Sequence, residues 1–186
     1  MPYQQIDFED IIFDPEVQKF CITEDFKCPN YNHSWACPPA SPYMKKEVSK
    51  YSNYFLIYIK FDLASYVLRK KQKYLKKSEQ SISNRIFRKN ILRDDLEEEI
   101  NNFLDKYNQK SQEKLILWDG HCRLCEINGF KKCNYDYGES CRFPDQIRYS
   151  MESVGIHVTN MVKNLGFNIE WPPIKYLYRF GLICIP

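Results

Sequence analysis

The sequence predicts an α+β fold: a small mixed or antiparallel sheet of about four strands, covered by helices, with two cysteine-rich metal-binding loops. Two observations favour this class. Short aromatic and β-branched runs at 54–59, 114–118, 167–171 and 175–185 are typical of buried strands. Long stretches with helical spacing of apolar residues separate the first two runs, so strands and helices are not regularly alternated.

The other elements follow from apolar periodicity, capping residues and prolines. Apolar residues over 84–109 form one stripe with the acidic residues mostly outside it, and Asn84 can cap its start. The prolines between 21 and 42 exclude a regular helix and predict an ordered loop. Residues 1–20 contain a short strand or the start of a helix. Helices are expected at Pro42–Tyr51, 63–78, Asn84–Gln109, Pro144–Ser153 and Thr159–Leu165.

Length and compartment bear on how the eight cysteines are interpreted. A chain of 186 residues buries about 70% of its unfolded surface and needs neither disulfides nor metals merely to fold. The acidic N-terminus does not resemble a secretory signal, and the run Tyr54–Ile59 is too short to span a membrane. A cytoplasmic protein without membrane contact is therefore expected. In that reducing compartment, clustered cysteines are more often metal ligands or redox groups than disulfides.

The second cysteine set is the stronger signal for a metal site. Cys122 and Cys125 form a C-x2-C pair, which brings two sulfurs to the same side of a tight turn, and Cys133 and Cys141 follow closely. Four thiolates suit zinc or an iron–sulfur cluster. The alternative is that these four residues are ordinary buried thiols in an apolar setting. Charged residues surround the set in the sequence, which argues against that alternative.

The spacing favours iron modestly over zinc. Zinc ribbons usually carry C-x2-C at both ends, whereas Cys133 and Cys141 are separated by seven residues. A cluster accepts irregular spacing because its ligand positions point apart. A proline also follows soon after Cys141, in Cys-Arg-Phe-Pro, as is common for cluster cysteines.

The first set contains Cys21, Cys28 and Cys37, with His33 between the last two. Three thiolates and an imidazole would make a closed zinc site. Three thiolates alone could hold a cluster with one iron open to a small ligand, in which case His33 is a surface residue. Cys184 lies in an apolar segment and is predicted to be a core thiol.

Basic residues crowd the segment 69–89, in which Glu79 is the only acidic residue. Such a patch could dock an acidic redox partner protein. A solvated helical linker would have the same composition. Nucleic acid is not expected as a partner, because no aromatic stacking pattern accompanies the charge.

Four sequence blocks together resemble a known family. They are Cys37-Pro38-Pro39 with Cys28 and Tyr31 upstream, Cys122-Arg123-Leu124-Cys125, Cys141-Arg142-Phe143-Pro144, and Ser150–Val158. In this order they look like the predicted metal-binding proteins filed as domain of unknown function 2284, which occur widely in anaerobic bacteria and archaea. The resemblance covers about 20–60 and 113–185. It implies a cysteine-bound metal, usually suspected to be an iron–sulfur cluster, and no settled reaction.

The chain departs from that family's pattern at two positions. Asn128 stands where members tend to have a third cysteine, and Cys133 is expected to take its place. Asn32 stands where a glycine is usual, and asparagine tolerates the left-handed backbone such a turn needs. In the last block, Glu152 and His157 are either scaffolding beside the metal, with Glu152 bound to an amide or to Arg123 or Arg142, or groups that handle protons.

The sequence therefore predicts a single metal-binding domain over 1–186 with a basic helical insertion at about 63–110. The expected function is a redox or electron-transfer role for a 4Fe–4S cluster; the alternative is a zinc-stabilised interaction module without redox chemistry. The question of an enzyme stays open, since no phosphate-binding glycine loop, catalytic triad or carboxylate pair is found. The expected ligands are Cys122, Cys125, Cys133, Cys141, Cys21, Cys28 and Cys37, with His33, Asn128, Glu152 and His157 as further candidates.

Overall fold

The structure, a computed structural model, describes residues 2–24, 26–88, 91–107 and 113–186. The side chains of 87, 88 and 91 also lie outside the description. Two predicted features lie outside the described residues: Lys89 in the basic segment, and the predicted helix end near Gln109.

Four strands form one open antiparallel sheet, which confirms the predicted fold class. They are β1 (Tyr3–Ile6), β2 (Asn53–Asp62), β3 (Leu115–Leu117) and β4 (Tyr176–Ile185), in the order β1-β2-β4-β3. The long strands β2 and β4 pair over their whole lengths, so Cys184 lies opposite Tyr54. Cys184 is fully buried, as predicted for a core thiol.

The predicted strand at 167–171 is wrong, and β1 supplies the fourth strand instead. Phe167 donates its backbone amide to the Val162 carbonyl at 2.9 Å, which folds the segment back onto the preceding helix. Two prolines follow directly at 172 and 173 and cannot donate to a ladder. The alternating apolar residues of this segment instead pack on the sheet, with Phe167 against Tyr58 and Phe180.

The helices are α1 (Lys45–Val48), α2 (Leu63–Lys73), α3 (Glu79–Arg88), α4 (Ile91–Lys106), α5 (Leu124–Ile127) and α6 (Val158–Asn164). The prediction that Asn84 caps a helix is wrong: it lies inside α3 and accepts a hydrogen bond from Gln80 at 2.8 Å. The predicted helix at Pro144–Ser153 is two separate 3-10 turns, Pro144–Gln146 and Glu152–Val154.

Helices cover both faces of the sheet, where the sequence indicated one. On one face α4 packs Leu96, Ile100 and Phe103 against β2 and β4. On the other, α1 and α6 pack beside the chain around Met151 and Val154. Burial on both faces explains why β2 reads as a continuous apolar run rather than an alternating one. The basic segment contains the end of α2, the turn after it and α3. Its exposed basic residues include Arg69, Lys73, Lys76, Lys77 and Arg85.

Within the described residues, no helix combines the length and the apolar character needed to cross a membrane.

Candidate metal centre

The first cysteine loop is closed by its own backbone hydrogen bonds. Cys28 donates its amide to the Cys21 carbonyl at 2.8 Å, which places these two residues side by side. Asn32 has φ 60° and donates to the Pro38 carbonyl at 2.9 Å. The left-handed turn expected at Asn32 is therefore present, and it returns the chain to Cys37.

The 150–158 block holds this loop in place. The carbonyl of Ser153 accepts hydrogen bonds from Gln18 Nε2 at 2.8 Å and from Ser41 Oγ at 2.7 Å. Ser150 braces the turn, because its hydroxyl accepts from the Ser153 amide at 3.1 Å. Gly155 ends the turn at φ 91°. These contacts support the scaffolding interpretation of the block.

The three thiols of the first set influence one another electrostatically. Burial raises the pKa of Cys21 to about 11, with Cys28 contributing next. Burial also raises the pKa of Cys37 to about 12, and Cys28 and Cys21 add to it. The raised pKa values keep the thiols of Cys21 and Cys37 neutral without a cation, and a bound metal would release their protons.

The second set surrounds one cavity of about 390 Å³, lined by Cys122, Cys125, Cys133 and Cys141. β3 leads into this region, and the C-x2-C pair lies at the start of α5. Burial raises the pKa of Cys141, and Cys133, Cys122 and Cys125 raise it further. Residues up to nineteen positions apart in the chain thus meet around one space.

Arg142 brings positive charge to this cavity, a contact the sequence analysis missed. Its Nη1 donates to Cys125 Sγ at 3.5 Å and to the Lys132 carbonyl at 2.9 Å. Its guanidinium also stacks on Phe130, 4.2 Å from the ring centroid. A donor of this kind stabilises a thiolate. The sequence offered one signal for this contact, which is that Arg142 directly follows Cys141.

Two histidines line the same cavity. His121, also missed, accepts a hydrogen bond at Nδ1 from Arg93 Nη1 at 3.1 Å. Its pKa is lowered, mainly by burial and then by Arg93, so the ring is neutral and its Nε2 carries the hydrogen. His33 Nδ1 lies 2.7 Å from Asp136 Oδ1, and His33 lines the second-set cavity. A carboxylate on Nδ1 is the usual partner of a metal-ligating histidine.

Three further candidates have other contacts. Asn128 donates its side-chain amide to the Leu124 carbonyl at 2.8 Å and so completes α5. His157 begins α6, where Nδ1 accepts from the Asn160 amide at 3.4 Å. Glu152 lies in a different cavity, and the basic residue that acts on it is Arg179, where Arg123 or Arg142 was expected. Desolvation of its carboxyl group, and then Asp119, raise the pKa of Glu152 to about 7, although the residue as a whole is exposed at the cavity wall.

The two cysteine sets are neighbours although their strands are not. β4 separates β2 from β3, so the sets do not meet along one sheet edge as adjacent strands would have allowed. Instead, the first loop supplies His33, Trp35 and Ala36 to the wall of the second-set cavity. Cys122 also contributes to the raised pKa of Cys37.

In the described part of the chain, no group of three or more His, Cys, Asp or Glu side chains is spaced to hold a single metal ion. The chemistry of the donors nevertheless fits a sulfur-ligated centre. Two sets of thiols lie within electrostatic reach of one another, and a guanidinium donates to one sulfur.

Comparison with known proteins assigns the family. No curated protein and no solved structure matches the chain. The family model described as "Predicted metal-binding protein (DUF2284)" matches residues 4–185. That match covers almost the whole fold, both cysteine sets and the segment between them. The chain therefore belongs to the predicted metal-binding family of domain of unknown function 2284.

Proposed function

We propose that this metal-binding protein carries a 4Fe–4S cluster on Cys122, Cys125, Cys133 and Cys141 and serves in electron transfer. The observation that carries the proposal is the meeting of these four cysteines around one cavity of about 390 Å³. A cluster needs more room than a single ion, and this space supports it. When bound, the cluster would accept and release one electron.

The residues around the cavity have defined roles in this proposal. Arg142 stabilises the ligated sulfur of Cys125 by a charge-assisted N–H···S contact. His121 lines the same cavity and is held by Arg93 through Nδ1, so its Nε2–H is left to serve as a donor within the site. Hydrogen bonds to sulfur raise the reduction potential of such a centre.

The first set, Cys21, Cys28 and Cys37, is proposed to hold a second centre. The mutual effects on the pKa values of Cys21 and Cys37 support a common site for the three thiols. With three thiolates, a cluster there would leave one iron open, and the 150–158 block would hold the loop rigid around it.

The exposed basic side chains at the end of α2 and in the turn between α2 and α3 are proposed to dock an acidic redox partner. Lys73, Lys76 and Lys77 are exposed. Replacing all three with glutamate should slow electron transfer from an acidic donor such as a ferredoxin, and the effect should shrink at high salt. Lys45, Lys46 and Lys50 are equally exposed and provide the matched control. Equal rates in both triple variants would contradict docking at the end of α2 and the turn that follows it.

The test of the cluster is anaerobic purification followed by iron, acid-labile sulfide and zinc analysis. Iron and sulfide of about four each per chain would indicate one loaded set, and about twice that would indicate both. Cys122→Ser should remove the metal of the second set, and Cys37→Ser that of the first. Cys184→Ala is the control, because Cys184 lies in the core.

Zinc without sulfide would refute the redox proposal and favour a structural metal module. Equal metal content in all three cysteine variants would refute the ligand assignment.

A further inference from the structure

A second cavity, of about 430 Å³, lies on the side of β4. β3 pairs only with the 182–184 part of β4. β2 pairs with one edge of β4 over the whole strand. Over Tyr176–Gly181, the opposite edge of β4, on which β3 lies farther along, has no strand partner in the described ranges. The cavity opens there, and α6 and the turn Glu152–Val154 form its other walls.

The walls of the cavity are mainly apolar and aromatic. Tyr178 and Phe180 lie in it, and their rings stack with an interplanar angle of 7°. Met151 and Val162 are fully buried and contribute the opposite side. Trp171 lines the cavity as well but is 87% exposed, so its indole lies at the rim.

The charged groups of the cavity are mostly acidic. Asp119 is bridged by two guanidinium groups, Arg179 at 3.1 Å and Arg93 at 3.3 Å. Glu170 accepts two backbone amides, at Ile174 and Lys175, both at 3.3 Å. Three carboxyl groups, those of Asp119, Glu152 and Glu170, therefore line the cavity together with one guanidinium, that of Arg179, which acts on both Asp119 and Glu152.

We propose that this cavity binds a small organic amine, with the protonated nitrogen toward Glu152 and the apolar body against Tyr178, Phe180 and Met151. An aromatic wall with an acidic group is what an organic cation requires, since ring faces and carboxylates both attract positive charge. A mainly apolar cavity of this size with few polar groups is typical of small-molecule sites.

The amine site adjoins the turn that anchors the first cysteine loop. The Ser153 carbonyl, one residue after Glu152, holds Gln18 and Ser41 of that loop. None of the proposed cysteine ligands lines the amine site, although Glu152 also contributes to the raised pKa of Cys21.

The test uses isothermal titration calorimetry on the full chain with three probes of similar shape. They are 2-phenylethylamine, its neutral counterpart 2-phenylethanol and the anion 3-phenylpropionate, at about pH 8 where the amine is protonated and carboxyl groups are mostly ionised. The amine should bind, and the other two should bind at least tenfold more weakly.

Two variants locate the binding. Glu152→Gln should weaken amine binding about tenfold, the loss of one charge-assisted contact. Trp171→Ala should also weaken it, and its exposure means that folding is not at risk. Glu98→Gln, on the exposed surface of α4, is the control and should leave affinity unchanged.

Equal binding of the alcohol or the anion would overturn the charge assignment. An amine affinity unaffected by both Glu152→Gln and Trp171→Ala would place the binding elsewhere. No heat from the amine at millimolar concentration would overturn the proposal itself, whatever metal the protein carries.

Discussion

The contact between Arg142 and Cys125 predicts how strongly the second set retains its metal. Arg142→Gln removes the positive charge and the donor to Cys125 Sγ at 3.5 Å, and also the stacking on Phe130. The thiolate then loses its nearest cation, and the bound metal should be released more readily.

The size of the effect follows from the distance. Two unit charges 3.5 Å apart interact by about 1.2 kcal/mol in bulk water and by about 4.7 kcal/mol at an effective dielectric constant of about 20. Arg142 is half-buried and a metal-bound thiolate shares its charge, so about 1–2 kcal/mol is expected. That corresponds to an affinity for the metal lower by a factor of about 5–30.

The assay is an anaerobic titration of the metal-loaded protein with EDTA, comparing the midpoint concentrations. Arg148→Gln is the matched control, because Arg148 stacks on Trp118 at 4.3 Å and pairs with Glu97 at 2.8 Å, so it loses the same kinds of contact. Arg142→Lys should lie between wild type and Arg142→Gln. Equal midpoints for Arg142→Gln and Arg148→Gln would refute the electrostatic reasoning.

Three further changes have defined outcomes. Gly155→Ala should lower the free energy of unfolding, measured by urea titration, by about 2–4 kcal/mol, since φ is +91° and the added Cβ would overlap the Tyr43 ring. Gly138→Ala is the control: its φ is +67° but the space around it is open, so the same measurement should show a loss of only about 1–2 kcal/mol. Cys184→Ser should cost about 1–3 kcal/mol by burying a hydroxyl in an apolar strand, yet keep full metal content; loss of metal would contradict its place in the core. The pKa of Glu152 is about 7 in the folded chain, against an ordinary 4.5, so the folded state holds this proton more tightly. Stability should therefore fall as the pH rises from about 4.5 to about 7, by a small amount because Glu152 is exposed and solvent screens its charge, and Glu152→Gln should flatten that fall; an unchanged profile would argue against the raised pKa.

Local chemistry made several features predictable from sequence. The continuous apolar residues of β2 and β4 identify strands buried on both faces, because β-branched and aromatic side chains fit a packed sheet. The left-handed turn at Asn32 follows from the short polar side chain that tolerates positive φ. In the same way, the apolar neighbours of Cys184 separate it from the other cysteines.

Local signals failed where two conformations are nearly equal in propensity. The 167–171 segment alternates like a strand, but the return of Phe167 onto α6 and the following prolines prevent pairing. Asn84 can cap a helix, yet Ile82 and Ile86 on either side of it are buried, so their packing keeps the residue inside α3.

By itself, the sequence determined the α+β class, the family and the grouping of the cysteines into two sets, because these depend on residue types and short spacings. Only the tertiary structure decided that the loop of the first set forms a wall of the second-set cavity, that Arg142 contacts Cys125 Sγ and that His121 lines the same cavity. The sheet order and the 150–158 block bring together segments more than a hundred residues apart, through carbonyl and serine contacts that leave no periodic trace in the chain. The acidic aromatic cavity is also a product of the tertiary structure, because it lies beside the part of β4 with which β3 does not pair.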